Sequence, residues 1–168
     1  MIAPNLGQLP LDLKAVPSYR ANDFLVTSCN ADAMAWLRRW PEWPGRGLII
    51  HGPPGCGKSH LAQIWQKRTG ALLVRGAQLN SNNLASVTGQ ESVIVEGVED
   101  ADDRALLHVY NEVVQARKTM FLTSTVPPVN WSMALPDLVS RISTLAVVGI
   151  GHPDDALLQG ILVKQFSD

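Results

Sequence analysis

The chain has 168 residues, 46% of them apolar and 17% charged, with 14 Lys and Arg against 15 Asp and Glu and a formal charge of −1. That is enough chain to bury most of its unfolded surface as one domain, and it is too apolar to be a disordered one. Near-neutral charge supplies no global field for a polyanion, the distant Cys29 and Cys56 make neither a disulfide framework nor a metal pair, and no apolar run approaches the ~18 residues of a membrane span. With no secretory pattern at its start, the chain is expected in the reducing cytoplasm.

Residues 1–20 read as an extended arm, because Pro4, Pro10 and Pro17 interrupt every helical pattern. A helix is expected to begin near Asn30 or Asp32, with Ala33, Met34, Trp36, Leu37 and Trp40 at helical spacing, and to stop before Pro41. Five short apolar runs follow: Leu48 to His51, Ala71 to Val74, Ser92 to Val95, Thr119 to Thr123 and Leu145 to Val148. They read as buried parallel strands. Helical patterns separate them, from Ser59 to Arg68 with Gly70 as its cap, and from Ala105 to Arg117 with Leu106, Tyr110 and Val113 on one stripe. The Asn- and Ser-rich stretch from Leu79 to Gln90 has room for only a short helix. Alternating strand and helix predicts an α/β three-layer sandwich over residues 21–152 with a five-stranded, mostly parallel sheet.

The segment Gly52-Pro53-Pro54-Gly55-Cys56-Gly57-Lys58-Ser59 fits G-x-x-x-x-G-K-[ST] without a gap, directly after one strand and before a helix. Its glycines let successive N–H groups turn inward around phosphate oxygens, and the next helix adds its positive end. In this pattern Lys58 reaches the outer phosphates, Ser59 holds Mg²⁺, and His60 follows in the first helical turn. Cys56 occupies a tolerant position. A second acid for magnesium is expected at a neighbouring strand end, and Glu96 after Val93-Ile94-Val95 supplies it. The next residue is Gly97, where hydrolysing relatives carry the carboxylate that orients the attacking water. Glu99 or Asp100 replaces it only if the loop folds back, so weak or no intrinsic ATPase is expected.

Gly52 to Ser59, Val93 to Glu96, Thr123-Ser124 and Leu135-Pro136-Asp137-Leu138-Val139-Ser140-Arg141 together resemble the AAA+ ATPases, a branch of the P-loop NTPases. Within them, His108-Val109-Tyr110-Asn111, then Phe121 to Ser124 and Pro127-Pro128, resemble the DnaA-related group over about Tyr19 to Asp168. The resemblance implies ATP or ADP with Mg²⁺ as cofactors. It implies Ser124 or its neighbour Thr123 as sensor 1, the polar group that feels the γ-phosphate. It further implies Arg141 as an arginine finger acting in trans, and Phe24, Leu25, Val26 and Asn30 near the adenine. Relatives carry a helical lid after the sheet domain. Residues 153–168 have room for only its first helix, so a truncated lid and weak or absent bound nucleotide are expected.

The arm carries Gln8-Leu9-Pro10-Leu11-Asp12-Leu13, which resembles the peptide by which bacterial replication proteins grip the polymerase sliding clamp. A tethered segment of this kind seats Leu9, Leu11 and Leu13 in an apolar cleft while Gln8 and Asp12 stay polar. A clamp peptide followed by a DnaA-like domain is similar to the Hda proteins, which make DnaA hydrolyse its ATP. The implied partners are the sliding clamp and DnaA, with a second copy of the chain as a further candidate, no sequence-specific DNA contact and no membrane. A helicase-loader ATPase and a small P-loop kinase are the alternatives; the first does not need the clamp peptide and is expected to show basic DNA-contacting clusters that are not found, and the second needs an acceptor-binding segment, for which Leu79 to Gln90 offers no candidate.

Overall fold

A computed structural model describes residues 24–165; the arm peptide 8–13 lies outside them. Five strands form one all-parallel sheet: β1 (Gly47–His51), β2 (Leu72–Arg75), β3 (Ser92–Glu96), β4 (Thr119–Ser124) and β5 (Ala146–Gly149), in the order β2-β3-β4-β1-β5. The expected strands recur within a residue or two. The helices are α1 (Ala31–Arg38), α2 (Lys58–Thr69), α3 (Leu84–Thr88), α4 (Asp103–Gln115), α5 (Pro136–Ile142) and α6 (Asp155–Gln165). Of the Asn- and Ser-rich stretch, only five residues become helix, since its side chains bond their own turn: Asn83 Oδ1 accepts from the Asn80 N–H, and Asn80 Oδ1 from the Asn82 N–H.

The strands are buried on both sides, which is why they read as continuous apolar runs. Successive residues alternate between two cores. Leu48, Ile50, Ile94, Phe121 and Val148 pack against α1 and α2 through Ala33, Leu37, Leu61 and Trp65. Ile49, Val93, Val95, Met120 and Leu122 pack against α3, α4 and α5 through Val87, Leu106, Val109, Leu138 and Ile142. Trp65 is fully buried, with ring centroids 5.2 Å from Trp43, 5.7 Å from Phe121 and 6.3 Å from Trp40.

In this topology each packed helix runs back against the strands, so helix N-termini join the strand C-termini at one edge of the sheet. Charge follows. Asp32, Asp102, Asp103, Asp137, Asp154 and Asp155 sit at helix starts, and Glu96 ends β3 at the same edge with Glu99 and Asp100 in the turn after it. Eight of the 14 cations lie at the other edge: Arg38, Arg39, Arg46, Lys67, Arg68, Arg117, Lys118 and Arg141. Among the described residues Glu42, Glu91 and Glu112 lie there too, and Asp137 reaches Arg141 from one turn back along α5. Helix dipoles favour this arrangement at both ends.

Trp65→Ala is expected to lower unfolding free energy by about 3–5 kcal/mol, because the cavity forms among rings that cannot collapse around it. A urea midpoint unchanged from the parent would contradict this packing account.

Candidate functional site

β1 ends at His51, and the chain turns through Gly52 to Gly57 into α2. Gly55 and Gly57 adopt φ of 79° and 101°, a region that side chains resist. At Gly52 the constraint is space, since a Cβ would stand 2.4 Å from the Ile150 carbonyl oxygen. Lys58 Nζ curls back over the loop and donates to the carbonyls of Gly52 (2.7 Å) and Pro53 (2.9 Å). Its charge is thus placed above the inward-facing backbone, held by two bonds that phosphate oxygens can replace. Ser59 is exposed beside it in the first turn of α2, His60 follows, and Cys56 is buried beneath the loop.

Phe24 lies against this turn, 3.4 Å from where a Cβ of Gly57 would stand, with its ring edge-on to His60 at 5.2 Å. Buried Asn30 shapes the adjoining segment: its Oδ1 accepts from the Thr27 N–H and its Nδ2 donates to the Leu25 carbonyl. Leu25 packs onto α6 where Gly160 leaves room, a Cβ there meeting Leu25 Cδ1 at 2.8 Å. Val26 is half exposed. Asp154 ties α6 to this segment by accepting from the Leu157 N–H and the Ser28 hydroxyl, and these bonds hold its carboxyl below the ordinary range.

Glu96 and Thr123 are register partners at the ends of β3 and β4. By alternation from Ile94 and Phe121, both face the side of the sheet that carries α2. β4 lies between β3 and β1, so Thr123 stands between the acid and the phosphate loop. Glu96 Oε1 is buried with no hydrogen-bond partner, as a carboxylate awaiting a cation or its water would be. Among the described residues no three His, Cys, Asp or Glu side chains form a metal-holding group. Ser59 and Glu96 are the residues that would hold magnesium here, with phosphate and water completing its ligands, which is its ordinary mode.

Ser124 is placed differently. Its side chain turns to the opposite face, where the hydroxyl donates to the Val126 carbonyl (2.6 Å) and accepts from Trp131 Nε1 (2.9 Å). Of the two sensor candidates, only Thr123 is brought together with Glu96 and the loop. The turn after β3 does fold back, as the Asp100 and Ala101 N–H groups bond the Gly97 and Val98 carbonyls. Glu99 is nevertheless turned away, accepting from the Thr125 N–H (2.7 Å) and hydroxyl (2.6 Å). Burial pushes its carboxyl up, but the Thr125 bonds outweigh that and hold it below the usual range. Asp100 comes nearer, its Oδ2 standing 3.9 Å from where a Cβ of Gly97 would be. Sequence spacing did not separate these two acids, because the turn geometry decides between them.

Arg141 is not part of this assembly. It lies in the last turn of α5, near the edge where strands begin, on the face opposite α2. Its Nε is 3.3 Å from Asp137 Oδ1 and its guanidinium carbon 5.7 Å from the Tyr110 ring centre.

The fold matches the AAA+ domain of DnaA-like replication proteins of known structure. A structure titled as a DNA replication initiation factor superposes with a TM-score of 0.75 at 20% identity, covering 90% of this chain and 55% of that one. Domain III of the Thermotoga maritima replication initiation protein DnaA gives 0.72 at 20% identity, over 89% and 75%. The DnaC helicase loader gives 0.61 at 16%, over 77% and 94%. The chain thus spans about half the length of the replication initiation factor. No family model matches the sequence, and no curated protein matches it. No helix among the described residues is long and apolar enough to cross a membrane.

Burial, and the nearby positive charge of Lys58, lower the His51 imidazole from its ordinary 6.5. Protonation then favours the unfolded chain, so this stability is present above about pH 6.5 and is lost as pH falls through the depressed value. His51→Gln is expected to flatten the decline in urea midpoint between about pH 7 and pH 5. An equally steep decline in the variant would refute this account of His51.

Proposed function

We propose that the chain is a nucleotide-binding regulator of replication initiation, of the Hda type, that lends Arg141 to the ATPase site of DnaA. What supports this most is the position of Arg141. β1 alone separates the two sheet edges by about 16 Å at ~3.3 Å per residue, and α5 and α2 lie on opposite faces. A guanidinium there has no route to its own phosphate loop. It is half-exposed and steadied by Asp137 and Tyr110, so it is available to another molecule.

In this reading Lys58, the backbone N–H groups of residues 52–59 and the N-terminus of α2 hold the phosphates of ATP or ADP. Ser59 and Glu96 hold Mg²⁺, which neutralises phosphate charge when bound. Thr123 donates toward the terminal phosphate, and Phe24, Leu25 and Val26 contact the base. One structure of similar fold is the replication initiator DnaA bound to AMPPCP and single-stranded DNA, which is compatible with nucleotide in such a site. Gly97 itself presents no carboxylate to water, fitting a protein that stimulates hydrolysis elsewhere. Arg141 would complete the partner's site by forking onto phosphate oxygens as charge develops there. The arm supplies location: Gln8, Leu9, Leu11, Asp12 and Leu13 would dock on the sliding clamp.

Lys58→Ala is expected to weaken binding of a fluorescent ATP analogue roughly 10–100-fold, the worth of a charged hydrogen bond to phosphate. Unchanged binding would remove the loop from the nucleotide site. For the function itself, ATP hydrolysis by DnaA is measured with clamp-loaded DNA and the full chain. Arg141→Ala should retain clamp capture while losing stimulation by roughly 10³-fold or more. Leu11→Ala with Leu13→Ala should lose clamp capture. Persistent stimulation by the Arg141 variant would sink the trans-acting role.

A further inference from the structure

We propose that the edge at which the strands begin binds the phosphodiester backbone of nucleic acid. The cations there come from distant parts of the sequence and are joined by contacts through the start of β4. Trp40 Nε1 donates to the Thr119 hydroxyl (3.1 Å), and the Arg68 guanidinium lies over the Trp40 ring at 5.0 Å. Lys118 and Arg117 immediately precede Thr119, and Arg46 Nη1 donates to the Arg117 carbonyl (2.8 Å). Arg39 caps the neighbouring Trp36 ring at 4.6 Å. Stacking fixes these guanidiniums while leaving their N–H edges free to fork onto phosphate oxygens.

Three observations favour a polyanion over an internal role. Among the described residues, Arg38, Arg39, Arg46, Arg68 and Arg117 make no ion pair with a carboxylate. Helix-dipole preference accounts for Arg38, Lys67 and Arg68 in last turns and for the charge of Arg46 and Arg117 beside helix ends, but not for the backbone of Arg46 and Arg117. Those two are the described non-glycine residues with left-handed backbone, φ 63° and 58°. Arg117 occupies the position after α4 where the Lys118 N–H bonds the Val113 carbonyl, a closure that ordinarily uses glycine. Arginine there holds a charge at the expense of backbone comfort. Phosphate is favoured over an acidic protein because the aromatic side chains that could anchor a protein here, Trp36 and Trp40, are already covered by Arg39 and Arg68. Contacts of this kind read charge and spacing, not base sequence.

The test is fluorescence anisotropy of a labelled duplex of roughly 30 base pairs with the full chain at low salt, and the same with a single strand. Arg39→Gln with Arg68→Gln is expected to weaken binding tenfold or more and to reduce the salt slope by about 2. Arg75→Gln with Arg104→Gln, an equal loss of charge at the opposite edge, should leave binding unchanged. Arg117→Gly should raise the urea midpoint and weaken DNA binding, whereas a merely structural arginine would raise the midpoint alone. Full affinity in the Arg39/Arg68 variant, equal loss in the opposite-edge variant, or polyglutamate competing better than unlabelled DNA overturns the proposal. The measurement uses neither clamp nor DnaA, so its outcome is separate from that of the Arg141 experiment.

Discussion

Parallel pairing sends the carboxyl ends of all five strands to one edge of the sheet and their amino ends to the other. Every helix that returns the chain must then begin at the first edge and finish at the second. The phosphate loop, Glu96 and Thr123 meet because each follows or ends a strand. No side-chain interaction has to recruit them. The positive ends of the helices collect at the same edge, where they suit both phosphate and the acids that cap α4 and α6.

Within that edge the loop is shaped before any ligand arrives. The glycine conformations at 55 and 57 are set by backbone geometry, and the Gly52 N–H is tied to the Ser124 carbonyl at 3.2 Å. Lys58 is the adjustable part. Its two bonds to loop carbonyls keep a cation over the concavity, and exchange for charged phosphate oxygens strengthens each bond while freeing the carbonyls to water. The β3 side is shaped by its backbone in the same way. Gly97 provides a left-handed turn, with φ of 65°, and that turn carries Glu99 to Thr125. A residue chosen for the turn cannot also present a carboxylate to water.

Local signals made most of this readable from the chain. The loop motif, the five apolar runs and Gly70 as a left-handed cap (φ 70°) each involve residues close in sequence, and the fold followed from their alternation. Thr123 and Ser124 differ by one position, and only the pairing of Glu96 with Thr123 decides which faces the loop. A one-residue question about a strand is a question about faces, and faces are set by long-range register. The cationic edge was hidden for a related reason. Arg46, Arg68 and Arg117 lie more than 20 residues apart in sequence, and a composition of 14 bases and 15 acids averages them away.

Net charge is therefore the wrong measure of this surface. At physiological salt a charge is screened over about 8 Å, while the sheet separates its edges by about 16 Å. Each edge acts on its surroundings through its own groups. The acid-rich edge repels a polyanion without weakening the hold of the arginine edge, and the separation turns the second edge toward it. Arg141 sits on the arginine side yet on a different helix and face from Arg39 and Arg68. A backbone held along the α1 and α2 ends leaves α5 uncovered, so binding a polyanion and lending a guanidinium to another protein are geometrically compatible on one small domain.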